Sequence, residues 1–232
     1  MESILITGAS GFIGSFIVEE ALKRKFGVWA GIRPTSSKKY LKNRKIHFLE
    51  LDFAHPNELR AQLSGHKGTY NKFDYIIHCA GVTKCPDKNT FDYVTYLQTK
   101  YFIDTLKALN MVPKQFIYIS TLSVFGPVRE KDYSPIEAGD VPMPNTAYGL
   151  SKLKAELYIQ SIPGFPYVIY RPTGVYGPRE LDYFLMAKSI RQHVDFSVGF
   201  RRQDLTFVYV KDIVQAIFLG IEKKVTRRAY FL

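Results

Sequence analysis

Cysteine is scarce in this 232-residue sequence, which contains only Cys79 and Cys85. Two thiols cannot build a disulfide framework, and the spacing between them does not match a zinc site. The five histidines are also scattered, without the spacing of metal ligands. We therefore expect a reduced, cytoplasmic protein that binds no metal.

Long apolar runs are missing as well. No run approaches the ~20 residues that a membrane-spanning helix needs, and the N-terminus enters a strand without the basic region and cleavage site of a secretory signal. Apolar residues nevertheless make up 46% of the chain, which is typical of a globular protein and excludes a disordered one. We expect no membrane partner.

Acidic residues are outnumbered: 21 Asp and Glu against 32 Lys and Arg give a net charge of +11. Such an excess can attract an anionic ligand or a nucleic acid. The basic residues are spread along the chain, however, and form no single stripe and no recognised nucleic-acid motif. We interpret them as a solvated surface from which a phosphorylated cofactor could use a few residues, and we expect no nucleic-acid partner.

Short apolar segments alternate with amphipathic ones, which predicts strands alternating with helices. This order is typical of an α/β protein with a Rossmann-type, doubly wound parallel sheet that binds ligands at the carboxyl ends of its strands. A polar, glycine-containing stretch at 65–72 is interpreted as a loop. The predicted strands are 3–7, 27–32, 45–51, 73–79, 115–120, 167–170 and 206–210, and the predicted helices are 13–25, 90–110, 146–161, 181–192 and segments that start at 56 and 212.

Three glycines follow the first strand, at the turn into the first helix. Glycines let a backbone turn tightly and approach a pyrophosphate, whose negative charge then meets the helix N-terminus. Their spacing, G-x-x-G-x-x-G, differs from the G-x-G-x-x-G of many dehydrogenases, but the strand–turn–helix context supports the same function. The predicted pyrophosphate site consists of Gly8, Ser10, Gly11, Phe12, Ile13 and Gly14.

The ends of the next strands predict how the rest of a dinucleotide binds. A free ribose 2′-hydroxyl usually meets Asp or Glu after the second strand, where this chain has Arg33 with Ser36 and Ser37 nearby. A guanidinium suits a 2′-phosphate, so we favour NADP, with NAD as the alternative. Asp52, followed by Phe53, either accepts from the adenine amino group or caps the next helix. Small residues that leave room for the cofactor ribose end the fourth strand: Ala80, Gly81 and Val82.

Tyr148 and Lys152 stand four residues apart, so a helix places both on one face. A tyrosine has a pKa near ~10, and an adjacent ammonium favours the phenolate, which makes proton transfer feasible. A third group should polarise the substrate oxygen. Thr121, at the end of the fifth strand, is our choice, with Ser123 in reserve; the alternative is that these hydroxyls only satisfy backbone groups.

With these residues in place, the chain resembles the extended short-chain dehydrogenase/reductase family, of the NAD-dependent epimerase/dehydratase type. Segments 78–81, 120–126, 171–178 and 207–212 look like its internal signatures. The resemblance implies that Tyr148 exchanges a proton, Lys152 tunes it, Thr121 holds the substrate oxygen and the nicotinamide C4 exchanges a hydride. It also implies nicotinamide contacts from Pro172, Thr173 and Val175, and it makes Thr83, Ser123 and Arg202 candidates for substrate contact.

Departures from the family pattern narrow the reaction. Leu122 and Ser123 stand where similar dehydratases carry an Asp-Glu pair, and Gly174 stands where many nucleotide-sugar enzymes carry Asn. These differences favour an oxidoreductase of the reductase-like branch acting on a carbonyl or secondary alcohol. A nucleotide-sugar epimerase with transient hydride transfer is the alternative. A dinucleotide-sensing protein without catalysis ranks third, because such relatives typically lose the Tyr-Lys pair.

The resemblance also predicts domains and assembly. We expect a dinucleotide-binding domain at 1–172, to which 206–221 returns, and a partial substrate-binding lobe at 173–232, because relatives usually continue for many residues. Relatives commonly form homodimers through the helices predicted at 90–110 and 146–161. The apolar side chains that could form this contact, or could equally be core, are Phe91, Val94, Leu97, Phe102 and Leu106.

Overall fold

A seven-stranded parallel sheet forms the centre of the computed structural model, which describes residues 1–85, 87–129, 133–194 and 204–232. The strands are β1 (Ser3–Thr7), β2 (Gly27–Ile32), β3 (Ile46–Glu50), β4 (Tyr75–His78), β5 (Gln115–Ile119) and β6 (Tyr167–Arg171). Two short strands, β7 (Gly174–Tyr176) and β8 (Phe207–Tyr209), pair separately, and β9 (Arg228–Phe231) completes the main sheet beside β6.

The strand order in the main sheet is β3-β2-β1-β4-β5-β6-β9. The order therefore reverses between β1 and β4. In doubly wound sheets the crevice at such a switch point, outside the carboxyl ends of the strands, is where ligands bind. The predicted α/β fold with a Rossmann-type parallel sheet is confirmed.

Helices cover both faces of this sheet. Within the described residues the helices are α1 (Phe12–Lys23), α2 (Pro56–Tyr70), α3 (Lys88–Phe91), α4 (Gln98–Ala108), α5 (Ala147–Ser161), α6 (Asp182–Arg191) and α7 (Val210–Glu222), and a π-helix (Asp92–Leu97) joins α3 to α4; α3 and α6 bury no residue. The side chains of a strand alternate between faces. Ile4 and Ile6 accordingly pack in one core with α1 and α7, whereas Leu5 packs in the other with α2, α4 and α5.

Two predicted elements differ from the structure. The predicted loop at 65–72 is wrong, because α2 continues to Tyr70. Its Gly65 and Gly68 lie on the exposed side, where an added Cβ would meet nothing within 4 Å, while His66 is buried and keeps this turn packed. The helix predicted at 90–110 is interrupted by the π-helix, a feature frequent at functional sites.

The sequence did not indicate β7 or β9. Strand β9 has a largely exposed side-chain pattern and begins with an arginine, so it lacks the apolar alternation by which strands are recognised. It lies at an edge of the main sheet, where exposed residues are tolerated. The division of the chain at residue 172 stays a prediction.

Candidate active site

The glycine turn after β1 is closed tightly by backbone contacts. Gly8 has a φ of +65°, and a Cβ there would lie 2.8 Å from the Ala80 nitrogen. A Cβ on Gly14 would lie 2.2 Å from the Gly8 carbonyl oxygen. Only glycine fits either position without moving the backbone, because such distances are shorter than any van der Waals contact.

This turn leaves the N-terminus of α1 open to an anion. Gly11 is its N-cap, no side chain caps it, and no acidic residue stands in its first turn. Unpaired backbone N–H groups and the helix dipole together favour a phosphate at such a position. Ser10, Phe12 and Ile13 flank the same turn; the binding of a pyrophosphate by these residues stays a prediction.

A buried histidine ties β1, β4 and α4 together beneath the turn. The Thr99 hydroxyl donates to the Thr95 carbonyl at 2.6 Å, so we assign His78 Nε2–H as its donor at 3.0 Å, and His78 Nδ1 as acceptor from the Thr7 hydroxyl at 2.8 Å. The Thr7 oxygen in turn accepts from the Ala80 N–H at 3.3 Å. Burial, reinforced by the Lys152 charge, lowers the pKa of His78 to about 3 and keeps the ring neutral.

Arg33 and Asp52 occupy different surroundings at the ends of β2 and β3. Arg33 is exposed, and its backbone N–H donates to the Ser36 hydroxyl at 3.0 Å. Both carboxylate oxygens of Asp52 are engaged locally, one by the Ala54 N–H at 2.9 Å and the other by His55 Nδ1 at 2.8 Å. The His55 hydrogen bond lowers the pKa of Asp52 against the opposing effect of burial. The first residue of α2 follows His55, its N-cap, and no side chain caps this helix, so the capping interpretation of Asp52 is wrong; its contact with adenine stays a prediction.

The end of β4 lies between the glycine turn and α5. Ala80 and Val82 are half-buried and Gly81 is exposed. A Cβ on Gly81 would lie 3.7 Å from Lys152 Nζ, which shows how close this strand end comes to the predicted catalytic lysine. Phe53 packs edge-on against His78, with ring centroids 5.8 Å apart.

Lys152 is buried at this edge of the sheet, with 5% of its surface exposed. Its Nζ donates to the Ile119 carbonyl at 2.7 Å and lies 4.7 Å from the centre of the Tyr118 ring. Burial lowers its pKa to about 8, an effect that the nearby Cys79 and Glu156 partly oppose. Burial thus disfavours the charge of this ammonium, and its contacts with the Ile119 carbonyl and the Tyr118 ring fix its position.

Tyr148 lies one turn before Lys152 on α5, and its phenol lies near the Thr121 hydroxyl. The Thr121 hydroxyl also lies 3.2 Å from the Ser123 hydroxyl and accepts from the Ser123 N–H at 3.2 Å. The structure therefore brings Thr121, Ser123 and Tyr148 together. The Thr121 oxygen caps a turn and faces the phenol at the same time.

The direction of the Tyr148 pKa differs from the sequence expectation. We expected the Lys152 ammonium to favour the phenolate, but burial raises the pKa of Tyr148 to about 12, and only the nearby Thr121 hydroxyl works against that rise. The ammonium is committed to the Ile119 carbonyl and the Tyr118 ring instead. At neutral pH Tyr148 is therefore a proton donor in this structure.

The predicted nicotinamide contacts lie where β6 ends. Pro172 is buried, and its carbonyl accepts from the Leu122 N–H at 2.9 Å, which ties this segment to the Thr121 turn. The Thr173 hydroxyl is buried and has no hydrogen-bond partner within the described parts of the chain. An orphaned polar atom here fits a ligand with a polar group, and Val175 packs against the first core.

Among the substrate candidates, Thr83 and Ser123 are both exposed at this edge, while Arg202 lies outside the described residues. Glu156 and Arg171, which form a buried ion pair beside Lys152, were not singled out from the sequence. The signal for Glu156 was its place four residues after Lys152, hence on the same helix face.

Within the described residues, no group of His, Cys, Asp and Glu side chains could hold a metal ion. The same part of the chain contains no helix with the length and apolarity needed to cross a bilayer.

Comparison with known proteins points to one family. The family model "NAD dependent epimerase/dehydratase family" matches residues 4–231. A Bacillus subtilis protein described as an uncharacterised UDP-glucose epimerase, YtcB, is 31% identical over 92% of this chain and 71% of its own length. A Pseudomonas aeruginosa GDP-6-deoxy-D-mannose reductase is 31% identical over 62% of this chain and 52% of its own.

Solved structures agree with this result. The Bordetella bronchiseptica enzyme WbmH in complex with NAD⁺ is 26% identical, with a TM-score of 0.77 over 100% of this chain and 75% of that one. The Thermotoga maritima UDP-glucose 4-epimerase with UDP-glucose has a TM-score of 0.79 at 21% identity, over 99% of this chain and 76% of that one, which shows a shared fold.

Proposed function

This chain belongs to the NAD-dependent epimerase/dehydratase family, and we propose that Tyr148, Lys152 and Thr121 carry its hydride chemistry on a secondary alcohol or ketone. As a member it is an NAD-dependent enzyme of the extended short-chain dehydrogenase/reductase type. The observation that supports the assignment of residues is their geometry. A protonated phenol near the Thr121 hydroxyl stands one helical turn from a buried ammonium, at the edge of the sheet where the glycine turn lies.

The side chains divide the work as follows. Tyr148, protonated at neutral pH because burial raises its pKa to about 12, donates a proton to the substrate oxygen when a ketone is reduced. Thr121 donates a hydrogen bond to the same oxygen and so stabilises the charge that develops there. Lys152 supplies a fixed positive charge beside them, and the bound cofactor supplies the hydride. The open N-terminus of α1 holds the pyrophosphate, and Thr173 gives a hydroxyl to the nicotinamide end.

Isotope transfer tests this proposal. The protein is incubated with NADPH or NADH that carries deuterium at C4 of the nicotinamide, together with a panel of keto-sugar nucleotides. The deuterium content of the products is measured by mass spectrometry. We expect deuterium on the new carbinol carbon and a matching consumption of the reduced cofactor. The proposal fails if no substrate in the panel acquires deuterium although the cofactor binds.

We further propose that the cofactor is NADP rather than NAD. The Arg33 side chain is exposed where a 2′-phosphate would lie, and its guanidinium has no hydrogen-bond or ion-pair partner among the described residues. Calorimetric titration should show that Arg33→Ala weakens NADPH binding about 10-fold or more and leaves NADH binding unchanged, since a charge-assisted hydrogen bond is lost. Arg44→Ala, an exposed arginine of the same loop, is the matched control. Equal affinities for both cofactors in the wild type would contradict the proposal.

A nucleotide-sugar epimerase is the second candidate, and the similarity to YtcB favours it. An epimerase returns the hydride to the opposite face of its substrate and therefore shows no net cofactor turnover. Conversion of UDP-glucose to UDP-galactose with NAD⁺ retained in the purified protein would place this candidate first. A dehydratase is disfavoured because Leu122 and Ser123 supply no acid–base pair, and a non-catalytic sensor is disfavoured because Tyr148 and Lys152 are both present.

We also propose that the protein is a cytoplasmic homodimer. Cys79 and Cys85 are both free thiols, as expected in a reducing compartment. Phe102 and Leu106 are fully buried core and cannot form the contact, but Tyr93, Leu150 and Leu157 are exposed on the π-helix and α5. Sedimentation should show a dimer that Leu157→Lys dissociates, and a monomeric wild type would contradict it.

A further inference from the structure

The inner face of α5 contacts the end of β5 at successive turns. Lys152 donates to the Ile119 carbonyl, Tyr148 lies near Thr121, and the carboxylate of the next turn, Glu156, accepts from the hydroxyl of the residue between them, Ser120. Three consecutive residues, the last of β5 and the two that follow it, thus each lie against a different turn of α5. Two of the three contacts belong to the proposed chemistry, and the third does not.

The third contact is made by the buried Glu156 carboxylate, which accepts hydrogen bonds from both Ser120 and Arg171. Glu156 has 1% of its side chain exposed and accepts from Arg171 through Nη2 at 2.6 Å and Nε at 3.1 Å. Arg171 lies at the end of β6, with its guanidinium 5.1 Å from the centre of the Phe125 ring. The ion pair therefore joins α5 to both strand ends that flank the site.

A gain in folding stability alone does not explain the ion pair between Glu156 and Arg171. Removing two charges from water is so costly that apolar residues of the same volume are often as stable as a buried ion pair. What the pair provides, and an apolar pair would not, is a fixed register between helix and strands. The Ser120 N–H donates to the Tyr170 carbonyl at 2.8 Å, immediately before Arg171, so the hydrogen-bonded register of β5 and β6 meets the ion pair at this point.

We infer that Glu156, held by Arg171, is a positioning residue that sets the end of β5 so that the Ile119 carbonyl meets Lys152 and the Thr121 hydroxyl meets Tyr148. This inference rests on the proposed function, because it assigns Glu156 a role through those residues. Glu156 does not touch the substrate.

Glu156 also contributes to the electrostatic environment of Lys152. The groups that face the ammonium are Tyr118 on β5, His78 and Cys79 at the end of β4, and Glu156 on its own helix. His78 is neutral, and burial raises the pKa of the Cys79 thiol to about 12. Glu156 is therefore the carboxylate among these four groups, and its removal should shift the titration of Lys152 to lower pH.

Two variants separate positioning from stability. Glu156→Gln keeps the shape but leaves Arg171 buried and unpaired, so it should lower both the urea midpoint and kcat. The double variant Glu156→Gln with Arg171→Met removes both charges, so its urea midpoint should return towards that of the wild type. If Glu156 positions the site, kcat of the double variant should remain about tenfold lower or more, since small misplacements cost large factors in rate.

The second measurement needs no substrate. The ¹³Cε signal of Lys152, identified by its loss in Lys152→Met, is titrated by NMR in the wild type and in both variants. We expect a shift to lower pH in Glu156→Gln. A matched control is Glu222→Gln with Arg24→Met, which removes an ion pair between the ends of α1 and α7, and it should alter neither kcat nor the Lys152 titration.

The inference is overturned if kcat of the double variant recovers together with its stability, or if the Lys152 titration is the same in Glu156→Gln as in the wild type. Failure of the proposed function has a different signature. In that case Tyr148→Phe keeps full turnover, whatever the Glu156 variants do.

Discussion

The glycine turn after β1 and the end of β5 lie at the same edge of the sheet, yet they are shaped by different means. At the turn, the absence of side chains at Gly8 and Gly14 lets backbone segments approach within distances that a Cβ would block. At the end of β5, the Ile119 carbonyl accepts from Lys152 and the Ser120 hydroxyl donates to Glu156, while Thr121 lies near Tyr148, so α5 contacts three residues in turn. The first region is suited to bind a rigid anion and the second to move a proton. Each should therefore fail in its own way when it is altered.

Gly14→Ala should have the largest effect, and it should act on the turn. The new Cβ would lie 2.2 Å from the Gly8 carbonyl oxygen, so the turn must open, at a cost of about 3 kcal/mol in the free energy of unfolding. Cofactor binding should be lost with it. Urea unfolding and calorimetric titration with NADPH and NADH measure both effects. Wild-type binding by this variant would contradict the account of the turn.

Gly68→Ala is the matched control for that variant. Gly68 lies in α2, where a Cβ would meet nothing within 4 Å. The change should raise stability by about 0.5–1 kcal/mol, because alanine loses less conformational freedom than glycine on folding into a helix. Cofactor binding should not change.

Thr121→Val should act mainly on the chemistry, although it also removes the cap of the turn at 122–124. Valine keeps the shape but removes the hydroxyl that contacts Tyr148, so kcat should fall about 10²-fold, as on loss of an oxyanion donor. The Kd of the cofactor should remain that of the wild type. Ser123→Ala, which removes the neighbouring hydroxyl, should have a smaller effect on kcat. An equal fall for both variants would mean that Thr121 has no special role.

The pH dependence should also separate the two regions. Burial lowers the pKa of Lys152 to about 8, so its ammonium is present below that pH and is lost above it. The rate of proton transfer should fall as pH rises through about 8, while Tyr148, with a pKa of about 12, stays protonated. Cofactor binding at the turn should not follow this profile. Lys154→Met, on the exposed side of the same helix, should leave the profile unchanged, and a rate independent of pH from 6 to ~10 would contradict the assignment.

The two regions also differ in how far the sequence predicted them. The glycine turn was predictable because residue type and spacing alone specify a tight turn whose closely packed backbone leaves no room for side chains. Tyr148 and Lys152 were predictable from helical spacing. The sequence did not predict the direction in which the pKa of Tyr148 shifts. That direction depends on which group the Lys152 ammonium contacts, and in the structure the ammonium donates to the Ile119 carbonyl.

Glu156, Arg171 and β9 were harder still to predict. Arg171 belonged to a recognised signature, but its partner stands on another element, and such pairing across the fold has no local pattern in the sequence. Strand β9 carries exposed residues at a sheet edge and so resembles a loop. The π-helix before α4 contains neither glycine nor proline, so no breaker residue marks it in the sequence.

The most direct test of the central claim is Tyr148→Phe, with kcat and cofactor Kd measured on the same preparation. The account predicts that kcat falls about 10²- to 10⁴-fold, the usual contribution of a positioned proton donor, while the cofactor Kd stays that of the wild type. Turnover at the wild-type rate would contradict it, because the phenol would then have no part in the reaction.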